Sequence, residues 1–161
     1  MAISDTVDFA LKLTEVDFQV LRHSHTETSR EAARRAGVSE EQLAKAVALR
    51  DDVGPLLAVI PASRVLDVEG LRTRLHRPWL RLMTEQELAE TFFDCETGAV
   101  PPLGPDYRIP TVLDSRLTQQ PDVYFEAGDH IDLVHVSATS FRSLMRGTEA
   151  LDCSIAAPQS K

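Results

Sequence analysis

Lysine is nearly missing from this chain: three residues, Lys12, Lys45 and Lys161, stand against fourteen arginines. Two of the three lie near the ends, so Lys45 is the one lysine within the body of the sequence. Cysteine is equally scarce. Cys95 and Cys153 are far apart and show no Cys-x-x-Cys or Cys/His ligand spacing, which excludes a disulfide framework and a cysteine zinc site. No apolar run approaches the roughly 18 to 20 residues of a membrane span. The start, Met-Ala-Ile-Ser-Asp-Thr, has neither the basic nor the long apolar region of a secretory signal, so the cytoplasm is the expected location. Basic charge is in the minority, 17 residues against 25 acidic for a net charge of -8, which argues against coating nucleic acid by bulk electrostatics. A small, local contact with a phosphate backbone stays open.

What is present suits one globular domain: 161 residues, 43% hydrophobic and 26% charged, are enough to bury a core. Residues 1–147 are expected to form that domain. The tail 148–161 is polar and aperiodic and is expected to be disordered.

Periodicity and capping residues order the elements. A helix is expected over residues 5–13, a strand over 18–22, and a helix capped by Thr28 or Ser29 that stops at Gly37. Ser39-Glu40-Glu41-Gln42 reads as a capping box opening a short helical turn. Strands at 43–50 and 56–60 flank the turn Asp51-Asp52-Val53-Gly54-Pro55, as in a hairpin. Asp67 caps a helix that Pro78 ends, Leu80-Arg81-Leu82 is a short strand, and Thr84-x-x-Glu87 opens a helix to Phe92. Residues 94–110, with Gly98, Gly104 and four prolines, form a stiff irregular loop. Strands at 111–113, 123–125 and 131–136 and a helix from Ser137 to Met145 complete the order. Six or seven strands with four or five helices, not in strict alternation, indicate an α+β fold with a mixed sheet or partly closed barrel flanked by helices.

Within this order Lys45 stands out. At a period of two, Leu43, Lys45, Val47 and Leu49 share one face of a strand and Ala44, Ala46 and Ala48 the other. An ammonium on an apolar face costs several kcal/mol or shifts its pKa unless an anion meets it, so the strand holds either a buried ion pair or an anion-binding pocket. Two further segments could join it in a pocket for a charged or ester substrate: the loop Gly98-Ala99-Val100-Pro101-Pro102-Leu103-Gly104, and Gly128-Asp129-His130 at a strand entry. A cluster of Arg72, Arg74, Arg77 and Arg81 with no acidic residue between them is either a solvated helix face or a phosphate contact. The lone Trp79 is expected in the core.

An ordered set of these pieces resembles the YbaK-type aminoacyl-tRNA deacylases, related to the editing domain of bacterial prolyl-tRNA synthetases. Its carriers are the Lys45 strand, Val59-Ile60-Pro61 with Leu66-Asp67-Val68, Gly98-x-x-x-Pro102 with Leu103-Gly104, Asp114 after Thr111-Val112-Leu113, and Ala127-Gly128, from about Val16 to Met145. The resemblance implies hydrolysis of the ester of a mischarged tRNA, acting in trans, on a small amino acid such as Cys, Ala or Ser and on tRNA-Pro among the candidates, with a prolyl-tRNA synthetase as a candidate partner. By that resemblance Lys45 anchors the acceptor end, and Gly98, Ala99, Val100, Pro101, Pro102, Gly104, Asp114, Gly128 and His130 shape the substrate pocket. Arg72, Arg74 and Arg77 are the candidate tRNA phosphate contacts. No metal and no cofactor are expected, and no side-chain nucleophile is required, since water or a reactive group of the substrate such as the ribose 2′-hydroxyl or an aminoacyl thiol can attack the activated ester once oriented. Ala46 and the Pro101-Pro102-Leu103-Gly104 run depart from relatives at positions that bear on pocket size.

Three rivals follow from the residues. One is a thiol hydrolase using Cys95 with His130, His135 or His25. Another is a metal site at His23-x-His25, for which no third ligand has matching spacing. The third is a non-catalytic aminoacyl-tRNA binding or regulatory module of the same fold.

Overall fold

The computed structural model describes residues 3–158. Its elements, in order, are α1 (Asp5–Thr14), β1 (Gln19–Arg22), α2 (Ser29–Ala36), β2 (Leu43–Arg50), β3 (Pro55–Pro61), β4 (Arg64–Leu66), α3 (Val68–Leu75), β5 (Arg81–Leu82), α4 (Glu85–Thr91), β6 (Thr111–Asp114), β7 (Asp122–Glu126), β8 (Asp132–Ser137), α5 (Ala138–Leu144), β9 (Glu149–Leu151) and β10 (Ser154–Ala156). Short polar side chains start the helices. Ser4, Thr28, Asp67, Thr84 and Ser137 each accept the backbone N–H three residues on, and Thr84 with Glu87 forms a full capping box. Gly37, at φ 71°, ends α2 in the left-handed conformation that glycine adopts without a steric cost. At Ser39 the expected helical start is a single turn closed by Gln42 N–H to the Ser39 carbonyl.

The fold is α+β, with a mixed sheet flanked by helices. The main sheet runs β1-β8-β7-β2-β3-β6-β9, and β5 adds to β2. That makes eight strands, one more than the upper expected count. β2 and β3 are the antiparallel hairpin, in register from Ala44 opposite Pro61 to Arg50 opposite Pro55. β2 pairs with β7 in parallel, as β3 does with β6 and β6 with β9.

The alternation of β2 divides the core. Ala44, Ala46 and Ala48 face the larger cluster, where Val7 and Leu11 of α1, Phe141 and Leu144 of α5, and Val100 and Leu103 of the loop meet. On the other face Leu43 joins a cluster with Ala32 and Ala33 of α2, whereas Val47 and Leu49 join one with Leu71 of α3. Lys45 lies between these two clusters. Trp79, expected in the core, is 75% exposed. It follows Pro78 in the turn after α3, outside the packed faces.

The tail is the main correction. Instead of lacking structure from residue 148, the chain adds β9 to the sheet edge at β6 and folds β10 back on β4 as a separate two-stranded ribbon. Residues 159–161 of the expected tail lie outside the described residues, as do residues 1 and 2 of the expected domain. What fixes the tail is Asp114. This carboxylate is fully buried; it accepts the Ser154 hydroxyl at 2.6 Å and the Arg116 backbone N–H at 2.9 Å, and Arg116 also reaches Asp152 at 2.8 Å. A buried carboxylate that loses a hydrogen bond bears the desolvation cost alone. Ser154→Ala is therefore expected to lower the stability by about 1–3 kcal/mol, read as a drop in the urea midpoint; an unchanged midpoint would show that the tail does not hold Asp114.

Candidate functional site

The break in the pairing of β2 makes the site. Asp51 N–H bonds the Gly54 carbonyl and Ala62 N–H the Leu43 carbonyl, so the odd residues of β2 direct their backbone groups to β3 and the even ones to the opposite edge. Along that edge β7 pairs only at Leu43 and Ala44, and β5 only at Leu49 and Arg50, with Met83 N–H on the Ala48 carbonyl. The N–H and C=O of Ala46 thus face a gap in the sheet.

A cavity of about 420 Å³ opens at this gap. Lys45, Ala44 and Ala46 form one wall, Thr28, Ser29 and Arg30 at the start of α2 another, and Gly98 and Val100 a third, with Glu27 and Glu126 completing it. Lys45 has no ion-pair partner within 4 Å among the described residues. Of the two explanations for a cation on this strand, the structural ion pair is absent and the open pocket is present. Burial, and then the positive charge of Arg30, hold the Lys45 ammonium below the usual lysine range. The α2 N-terminus adds to the positive field. Thr28 caps Glu31 N–H, and the amides of Ser29 and Arg30 precede the first intrahelical donor, Ala32 N–H to the Thr28 carbonyl.

Gly98 lies in a turn closed by Ala99 N–H to the Glu96 carbonyl, at φ 88°. A Cβ there would come 3.6 Å from the His130 ring, an ordinary contact, so the backbone conformation and not crowding calls for glycine. His130 braces the turn from behind: its Nε2–H donates to the Thr97 carbonyl at 2.8 Å and its backbone N–H to Glu96 at 3.3 Å. Because the peptide is trans, a Thr97 carbonyl held toward His130 turns the Gly98 N–H the other way.

Glu126, at the end of β7, is 6% exposed and shows no side-chain hydrogen bond among the described residues. Burial chiefly, with the nearby Asp129 charge added and His130 opposing, pushes its carboxyl up to about 7.

The residues picked from the sequence separate accordingly. Lys45, Gly98 and Val100 line the cavity. Ala99, Pro101 and Pro102 are buried in the loop, and His130 supports it without lining the cavity. Gly104 is a packing glycine, whose added Cβ would fall 1.7 Å from the Thr111 hydroxyl oxygen. Gly128 closes on Ser4 and Cys95 under α1. Asp114 holds the tail and is away from the cavity, which corrects its assignment to the pocket.

The α3 arginines are also elsewhere, beside the second core cluster. Arg77 is tied to Asp51 through Nε–Oδ2 at 2.8 Å, with only 14% of its side chain exposed, and Arg72 and Arg74 donate to the carbonyls of Leu80 and Asp152. Overlooked in the sequence were Arg30, Arg34 and Arg35 of α2, which with Thr28 line a concave surface next to the cavity. The i,i+4 spacing of Arg30 and Arg34, with Arg35 beside them, was the available signal. The rival sites fare poorly. The Cys95 thiol is pushed up to about 12 by burial and bonds Tyr107 at 3.3 Å, away from the cavity, and among the described residues no three metal-ligating side chains converge.

A model of the aminoacyl-tRNA editing domain matches residues 23–144, the segment that carries every wall of the cavity. The chain belongs to this family. Among solved structures, the hypothetical protein APE2540 is 26% identical at a TM-score of 0.80, over 94% of this chain and 100% of that one. A protein proposed as a trans-editing enzyme for prolyl tRNA synthetase is also 26% identical, at a TM-score of 0.77 over 96% and 100%. A scaffold used for computational epitope backbone grafting shares the fold at 24% identity and a TM-score of 0.80, over 94% and 96%. No curated protein matches. No helix among the described residues is long and apolar enough to cross a membrane.

The raised carboxyl of this editing-domain cavity has a thermodynamic consequence. Folded Glu126 holds its proton up to about 7, whereas a free glutamate releases it near 4.5, so this residue's contribution is present below 4.5 and falls away as pH rises through 7. Glu126→Gln is expected to unfold at a higher temperature than the parent above pH 7.5, by up to roughly 3 kcal/mol, with the gap closing toward pH 4.5. Thermal melts across that range check it; a gap that does not change with pH would contradict the assignment.

Proposed function

We propose that this chain is a trans-acting deacylase that hydrolyses the ester of a mischarged tRNA bearing a small amino acid such as Cys, Ala or Ser. The observation that carries this is Lys45: a desolvated cation with no counter-ion among the described residues, at the wall of a cavity sized for an aminoacyl end. Editing-domain membership supplies the substrate class. The likeness to a protein proposed to edit for prolyl tRNA synthetase makes tRNA-Pro the first tRNA to try, and that synthetase a candidate partner.

In this proposal Lys45 and the Ser29 and Arg30 amides hold a phosphate of the terminal adenosine, and Arg30, Arg34 and Arg35 continue the path along α2. An acidic protein can then handle tRNA, because the grip is confined to one helix and one cavity. The aminoacyl group sits against Gly98 and Val100, and its carbonyl oxygen takes the Gly98 N–H as negative charge develops. Water, oriented by the adjacent ribose hydroxyl, adds to the carbonyl carbon and gives up a proton; the ester C–O bond breaks, and the sugar oxygen leaves with that proton as the free amino acid is released. The side chains orient and stabilise, and none becomes acylated.

Incubation of the protein with a panel of mischarged tRNAs, followed by loss of the aminoacyl group, tests the proposal. Cleavage of at least one small-residue ester is expected; binding without cleavage would leave a non-catalytic module. Lys45→Ala is expected to lower kcat/KM for that ester by about 100-fold or more without unfolding. Arg34→Ala with Arg35→Ala should cost about tenfold and flatten the salt dependence, since each lost phosphate contact reduces the slope by about one. Arg72→Ala with Arg74→Ala should leave both unchanged, and the reverse ranking would move the tRNA path to α3.

A further inference from the structure

Glu126 is not needed by the chemistry just described. It is nevertheless a carboxyl in the cavity wall, buried to 6% exposure at the end of a core strand and without a cation within 4 Å among the described residues. Such a placement is costly. Of its neighbours, His130 favours the charged form and Asp129 opposes it, but among the described residues His130 bonds the Thr97 carbonyl through Nε2 and makes no ion pair with Glu126 within 4 Å, so the carboxyl keeps most of its burial cost. Lys45 and Arg30 stand on other walls of the same cavity, and Glu27, which approaches His25 at 3.5 Å, is at its exposed rim. The cavity therefore presents the unpaired Lys45 from β2 and, from α2, Arg30, whose charge Glu40 partly meets at 3.1 Å, against a single buried carboxyl from β7. A ligand that fits both carries an anion at one end and a cation at the other.

We propose that Glu126 binds the free α-ammonium group of the aminoacyl moiety and so restricts the site to aminoacyl esters whose amine is unblocked. This rests on the deacylase proposal above and names the substrate group that the β7 wall reads. An ammonium donating to Glu126 neutralises a carboxylate that is otherwise desolvated and unpaired, while phosphate does the same for Lys45. The two contacts fix both ends of the ligand, with the scissile carbonyl between them beside Gly98. Acetylating the amine removes the positive charge and adds bulk against a buried acid, so an N-blocked ester is refused twice over.

The test uses non-hydrolysable adenosine 5′-phosphates in which the amino acid is attached as a 3′-amide, made for alanine, serine and cysteine, each with a free and an acetylated α-amine. Binding to the full chain is measured by calorimetry at pH 7.5. The parent is expected to prefer the free amine by at least tenfold for whichever side chain binds, Glu126→Gln to lose that preference, and Glu27→Gln to keep it. A preference that survives in Glu126→Gln overturns the proposal. So does equal binding of both forms by the parent, which leaves the deacylase proposal standing. Binding of neither form for any side chain overturns both. A Glu126→Gln variant that retains the preference but hydrolyses the tRNA ester more slowly would make Glu126 a general base, which also overturns it.

Discussion

The site depends on how β2 is paired. One edge of this strand is closed by β3 along its whole length; the other is closed at each end by different strands and left open in the middle. A fully paired β2 would place Lys45 among Leu43, Val47 and Leu49 with no way out, and an ammonium there is untenable without an ion pair. The interruption leaves it open to the cavity. The same gap frees the Ala46 backbone, and on that side of the sheet the clusters beneath α2 and α3 leave room between them.

Charge in the cavity is arranged by burial more than by pairing. Arginines of this chain are mostly held by carboxylates, as the largely buried Arg77 is by Asp51 and the exposed Arg81 by Glu87. Lys45 and Glu126 are not, and burial moves each toward its neutral form. Two opposite groups are kept apart on separate walls, each short of an ion-pair partner among the described residues, and under the proposal above a dipolar ligand would meet both. Preorganisation of this kind costs stability in the empty protein and returns it on binding.

Much of this was legible in the sequence, and the reasons differ from residue to residue. Lys45 was visible because lysine is rare here and the period-two pattern set it on an apolar face. The hairpin and the starts of α2, α3, α4 and α5 were legible because capping residues and turn residues act over three or four positions, whereas α1 was read from its apolar stripe. Glu126 was not, since a charge at the end of Val123-Tyr124-Phe125 looks solvated until β7 is placed between β2 and β8. Of the dense α3 arginines, Arg77 is held by Asp51, 26 residues away, and no local pattern reports that pairing. The tail failed for the same reason: Asp114 and Ser154 are 40 residues apart, and strands of three residues leave almost no periodic signal.

The central claim is that Lys45 is an anion-binding cation and not a structural one, and its own titration tests this most directly. With the single lysine of the chain body resolved by its side-chain nuclear resonance signals, the Lys45 ammonium should titrate below ordinary lysine in the free protein. It should rise when a 3′-aminoacylamido adenosine 5′-phosphate is added. A normal titration in the free protein, or one that the ligand leaves unmoved, would contradict the account.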